Sequence, residues 1–256
     1  ETRTIDSTSF VTQYSYDKNG NTTSITYPSG RIISYGYTND KVTQLLSNGA
    51  ALATSITYKP FGNIQSLIFG NGIKQTNSYD QQYRLTQINT QGIQNLAYTY
   101  DKNSNITQIT DNLDNTKTKA YGYDTQDRLT TATGPWGSLA YSYDLNGNRT
   151  TETRNSTTTN YSYKPNSNQL TATTGDKNYS FSFDQNGNTA TENTKTYTYN
   201  QNQRLIKVAE GATTKGEYLY NANGQRVKKT ANNQTSYFIF DQQGKLIAES
   251  GARQID

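Results

Sequence analysis

The side chains with chemistry to offer are carboxylates that recur in one setting. Asp17, Asp80, Asp101, Asp124, Asp144, Asp184 and Asp241 each follow an aromatic residue and open a turn. Two carboxylates at a set separation can act as general acid and base on a glycosidic bond, and clustered ones can hold calcium. A carboxylate repeated at the same place in every copy of a motif fits turn capping better than either chemistry. The chain has 0 His and 0 Cys, so the usual general base, the thiol nucleophile, the common zinc ligands and all disulfides are missing. Ser and Thr abound, yet a catalytic triad has no base, and no Ser-Lys pair stands out. Gly70-Asn71-Gly72 lacks the third glycine and the strand-to-helix context of a dinucleotide loop. The expectation is a chain without a catalytic centre, cofactor or metal site.

The elements that carry these aspartates follow from composition and spacing. Of 256 residues, 31% are hydrophobic and 17% charged, too few apolar groups for a thick aliphatic core. Tyr supplies 22 of the aromatics, against 7 Phe and 1 Trp, and Thr and Asn are abundant. Tyr and Thr favour pleated half-buried surfaces and Asn favours turns, so the composition reads all-β. The motif aromatic-x-aromatic-Asp-x-x-Gly is carried by Tyr14, Tyr16, Asp17 and Gly20. It returns at Tyr98 and Tyr100, at Tyr121 and Tyr123, and at Tyr141 and Tyr143 with Asp144 and Gly147. Phe181 and Phe183 with Asp184 and Gly187, and Phe238 and Phe240 with Asp241 and Gly244, complete the strong copies. With weaker copies the motif recurs about twelve times at steps of about 20 residues over 14–249.

Residues i and i+2 of a strand share a face, so each aromatic pair presents both rings to one side. Asp then ends the strand, and Asp to Gly fits a type I turn followed by a left-handed residue. Tyr83, Ser104, Asp127, Ser167 and Gln203 stand in the glycine's place in some copies. Lys59 and Lys164, each followed by proline, replace the aspartate. Each repeat is expected to be two strands and two turns, with rows of rings packing on one another to hold an antiparallel, curved sheet. One such hairpin cannot bury enough surface to stand alone, so neighbours must stack. The domain expectation is a single array over 1–256.

This unit resembles the YD repeat, or Rhs repeat, of Rhs polymorphic toxins, of the BC component of Tc toxins and of teneurins. The resemblance implies an antiparallel sheet that spirals into a shell. In the toxins that shell encloses an unfolded polypeptide, and in teneurins it belongs to an adhesion ectodomain. These proteins act outside the producing cell, so the implied location is extracellular or at the cell surface. The acidic, self-cleaving core segment that follows the repeats in the toxins has no counterpart after Phe238, so a spiral segment or an open curved sheet is expected rather than a sealed container.

The functional expectation is a non-catalytic wall segment that encapsulates or scaffolds a polypeptide. Its partners are further YD repeats, an enclosed polypeptide or a surface glycan. The alternatives are an adhesion or carbohydrate-binding module, for which Trp136 in its Gly134-Pro135-Trp136-Gly137 turn is the candidate contact, and a self-assembling filament subunit joined through edge strands. The chain has 0 Met, which reads as a piece of a longer polypeptide. Its first 30 residues show no signal peptide, no run is long enough to span a membrane, and the 24 basic and 20 acidic residues form no nucleic-acid patch.

Overall fold

A computed structural model describes residues 1–251. Among the described residues the chain is antiparallel β throughout, apart from a single 3-10 turn at Asn115–Lys117. It divides into two compact units. Of the described residues, one comprises 1–36, 46–49 and 180–251; the other comprises 37–45 and 50–179. The same hairpin architecture runs through both units.

In the second unit, successive strands pair with their sequence neighbours, as in Gln94–Tyr100 with Ile106–Asp111 and Gly137–Tyr143 with Arg149–Arg154. In the first unit the same meander joins Lys195–Tyr199 to Leu205–Glu210 and Gln234–Phe240 to Leu246–Gly251. The sequence dictates this locally. β-Branched and aromatic residues fill the strands, and Asp, Asn and Gly fill the bends.

The two faces of the sheet differ in kind. Tyr98 and Tyr100 are half-buried on one face, while Thr99 between them is exposed on the other. The exposed face carries cross-strand hydroxyl pairs: Thr57 with Ser66 at 2.8 Å, Thr99 with Thr107 at 3.0 Å, and Ser182 with Thr191 at 2.6 Å. Such pairs are the sheet counterpart of helix side-chain pairs.

A buried aliphatic cluster lies in the first unit. The hairpin of Thr2–Ile5 and Thr8–Val11 sets Ile5 and Phe10 against Ile239 and Ala248, with Val227, Tyr237 and Ile247 around them. The position between the paired aromatics is polar or glycine in Tyr98-Thr99-Tyr100, Tyr121-Gly122-Tyr123 and Phe181-Ser182-Phe183. It becomes Leu219 and then Ile239 in the last two copies. The apolar substitution at Ile239 falls where the N-terminal hairpin covers the sheet. Lys228 donates to the Asp6 carboxylate at 2.6 Å beside this cluster.

Candidate functional site

The repeated bend is the smallest functional element. At Asp17 one carboxylate oxygen accepts the backbone N–H groups of Asn19 and Asn21, each at 2.9 Å, and the other accepts the Asn21 side-chain amide at 3.0 Å. Asp144 and Asp184 repeat this with Asn148 and Asn188. Asp241 accepts the N–H of Lys245 at 2.8 Å. At Asp80 and Asp124 the fourth residue on is arginine, whose Nε reaches the carboxylate at 2.7 Å.

These donors hold the carboxyls of Asp17, Asp124, Asp144 and Asp184 below their ordinary value. At Asp17, Asp144 and Asp184 the asparagine side-chain amide is the largest cause, and at Asp124 it is the Arg128 backbone N–H. Gly20, Gly147, Gly187 and Gly244 close these bends with positive φ and donate their N–H to the aspartate carbonyl. The bends at Lys59 and Lys164 keep the same closing bond, from Gly62 and Ser167.

In several bends without glycine, the replacing side chain touches the preceding bend. Ser104 accepts from Arg84 at 3.1 Å, Asp127 accepts from Asn105 at 2.7 Å, and the Tyr83 ring lies 4.5 Å from that of Phe61. In the Lys164 bend the left-handed residue is Asn166 rather than Ser167, one position earlier than the sequence suggested.

In eight repeats the tyrosine that precedes the bend joins its repeat to the one before. Tyr58 donates its hydroxyl to the Val42 carbonyl at 2.7 Å, Tyr79 to Ile64 at 2.8 Å, Tyr100 to Leu85 at 2.7 Å, and Tyr123 to Ile106 at 2.8 Å. Tyr143 donates to Leu129 at 2.7 Å, Tyr163 to Arg149 at 2.9 Å, Tyr199 to Thr189 at 3.0 Å, and Tyr220 to Leu205 at 2.9 Å.

The backbone explains why those carbonyls need a donor. Pairing between Leu85–Thr90 and Gln94–Tyr100 begins only at Gln87 with Ala97, so the Leu85 carbonyl lies beyond the ladder. A bulge sits on its other side, between Leu85 and Gln87. A half-buried carbonyl left over by a bulge must find a partner, and the tyrosine supplies it. Phe183 and Phe240 hold the same place without a hydroxyl.

The rings meet cations as well as carbonyls. The Arg84 guanidinium lies 4.5 Å from the Tyr100 centroid, Arg128 lies 4.8 Å from Tyr143, Arg149 lies 4.5 Å from Tyr161 and 5.5 Å from Tyr141, and Arg226 lies 4.9 Å from Phe238. Arg84 thus holds Asp80 in its own bend, covers the next repeat's ring and donates to the next bend at Ser104. The sequence reading gave the rings to one another. Tyr14 and Tyr16 do stack, at 6.4 Å, but the repeating partner of the second ring is polar. Sequence reasoning missed this lattice because its acceptor is a backbone carbonyl, which carries no residue identity.

Two carboxylates sit among the rings. Glu152 is 6% exposed and meets Arg149 at 3.1 Å, Lys177 at 3.2 Å and the Tyr161 hydroxyl. Glu192 accepts the Tyr197 hydroxyl at 2.7 Å, and desolvation, with that bond, pushes the phenol up to about 12. Trp136 folds back over Gly134 in its own hairpin and lies under the Lys119 ammonium, 5.8 Å away. Among the described residues no group of three acidic side chains is arranged to hold a metal ion, and no helix is long and apolar enough to cross a membrane.

A profile of the teneurin YD-shell matches residues 99–242, and one of the RHS repeat matches 2–32 and 16–50. No curated protein matches by sequence. Among solved structures, the chain resembles the Tc holotoxin pore of Photorhabdus luminescens at 20% identity and a TM-score of 0.76, over 95% of this chain and 15% of that one. It resembles the TcdB2-TccC3 crystal structure at 20% identity and a TM-score of 0.76, over 98% and 15%. The TcdB2-TccC3-Cdc42 structure gives 20% and 0.75, over 97% and 15%. At this identity the likeness concerns the fold, and the chain spans only about 15% of the length of those proteins. With the profile covering more than half of its residues, and with an Asp-bend and tyrosine lattice running through both units, the chain belongs to the teneurin YD-shell family.

Proposed function

We propose that this chain is a non-catalytic wall segment of a YD-repeat shell that surrounds or scaffolds a polypeptide outside the producing cell. The observation that carries the reading is the tyrosine-to-carbonyl bond, which recurs in eight repeats and ties a hairpin to the one before. A lattice of that kind makes a stiff sheet from a chain with little aliphatic mass. The absence of His and Cys from the sequence supports a role without catalysis. The likeness to Tc toxin structures supports a shell, with the rest of the parent polypeptide and further repeats as partners.

Tyr16 stands where Tyr100 stands in its repeat and is 60% exposed, and its hydroxyl has no hydrogen-bond partner among the described residues. The guanidinium groups over Tyr100, Tyr143 and Tyr161 occupy faces that a sugar ring would need, which favours the wall over glycan stacking.

Limited proteolysis of the natural parent polypeptide tests the proposal. A segment outside the array should resist thermolysin in the intact protein and become digestible when Tyr100, Tyr123 and Tyr143 are together changed to phenylalanine. Digestion of every flanking segment at the same rate in both proteins would count against enclosure.

A further inference from the structure

The second unit holds an open cleft of about 630 Å³ on the ring-bearing face, at the rim opposite the Asp bends. Its floor is Ile73, Leu96 and Ile109, and Phe69 and Ile93 stand at its edge. Ile93 is 62% exposed, and Phe69 is also exposed. The cleft has a structural cause. The strands Ile106–Asp111 and Lys119–Tyr123 pair at only two positions, Gln108 with Ala120 and Ile109 with Lys119. The connection between them, residues 112–118, turns at Asp111, which accepts the N–H groups of Leu113 at 3.0 Å and Asp114 at 3.1 Å. The strands part there, and the apolar residues beneath are uncovered.

Two ammonium groups border this apolar floor. Lys117 is paired with Asp114 at 3.1 Å. Lys119 has no carboxylate within 4 Å among the described residues, and its ammonium lies over the Trp136 ring. Asp111, the acid of the lining, is engaged by backbone donors. A trough open along one side suits an extended chain better than a compact ligand, which needs enclosure. We propose that this cleft binds an extended peptide segment in which apolar side chains alternate with acidic ones. The apolar groups enter between Ile93, Leu96 and Phe69, and a carboxylate meets Lys119. The inference is independent of the shell reading.

The single Trp of the chain, Trp136, reports on the cleft through its contact with Lys119. The intact chain would be titrated with an N-acetylated, C-amidated hexapeptide of alternating leucine and aspartate, by tryptophan emission and by calorimetry. The controls are a leucine-lysine hexapeptide and a serine-aspartate hexapeptide. Saturable binding of the leucine-aspartate peptide alone is expected. Lys119→Glu should weaken it at least tenfold and admit the leucine-lysine peptide. Ile93→Ser, at an exposed position, should weaken it with the circular dichroism spectrum unchanged. Absence of calorimetric binding, equal binding of all three peptides, or indifference to Lys119→Glu would overturn the proposal. So would concentration-dependent self-association abolished by Ile93→Ser, which would assign the cleft to a second copy of the chain.

Discussion

The hydroxyl of Tyr100 donates to the carbonyl of Leu85 at 2.7 Å, from one hairpin back to the hairpin before it. Removing the hydroxyl leaves that carbonyl without its donor. Tyr100→Phe should cost about 1–2 kcal/mol in urea unfolding. Tyr16→Phe, which removes an exposed hydroxyl with no partner among the described residues, should leave the midpoint unchanged. Equal effects of the two changes would show that the bond carries no load.

Arg84 serves three partners at once: Asp80, the Tyr100 ring and Ser104. Lysine keeps the charge but loses the planar fork that reaches all three. Arg84→Lys should therefore lower the urea midpoint clearly. Lys18→Arg, in the bend of the first repeat, should leave it within error. The comparison separates the geometry of the guanidinium from its charge.

Gly147 has φ +85° with open space where a Cβ would stand. The cost of a side chain there is therefore one of backbone conformation alone. Gly147→Ala should destabilise by about 1–2 kcal/mol, read as a shift in thermal midpoint. A loss well above that would mean the bend has contacts beyond its own backbone.

Phe10 is 6% exposed in the cluster that joins the N-terminal hairpin to Ile239 and Ala248. Phe10→Ala should cost about 3–5 kcal/mol and create binding of a hydrophobic dye. Ser182→Ala, at the place in its repeat that Ile239 holds in the last, should do neither. A dye signal from Ser182→Ala would mean that the polar face is held by its hydroxyls more than by its backbone.

Acid and alkali should act through different residues. The carboxyls of Asp17, Asp124, Asp144 and Asp184 sit below their ordinary value, so their stabilisation is complete above about pH 4 and is lost as pH falls through the folded values. Tyr100, Tyr143 and Tyr163 are raised by desolvation, and Tyr197 to about 12. Their stabilisation is complete below about pH 10 and is lost as pH rises through the folded values. Thermal midpoints should be flat between these limits and fall on both sides. The tyrosinate absorbance of the folded chain should rise later than that of the urea-unfolded chain.

The antiparallel hairpin array was legible because the pattern states it directly. Tyr98, Thr99 and Tyr100 alternate between faces, and Asp101 stops the strand. The partners of the rings were not legible, since the Leu85 and Leu129 carbonyls are defined by where a ladder ends. The N-terminal hairpin lay outside the main motif, although the change from Ser182 to Leu219 and Ile239 at one place in the repeat marked where the sheet would be covered. The rim cleft follows from the short pairing of Ile106–Asp111 with Lys119–Tyr123, and no spacing rule anticipates that.

In every tyrosine-to-carbonyl bond between repeats the donor comes later in the chain than its acceptor. A polypeptide made or threaded from its N-terminus therefore always exposes the receiving carbonyl first and the gripping phenol second. Each newly emerged hairpin can fasten itself to finished structure without waiting for anything downstream. A chain emerging in the reverse direction would leave each tyrosine waiting for a carbonyl that has yet to appear.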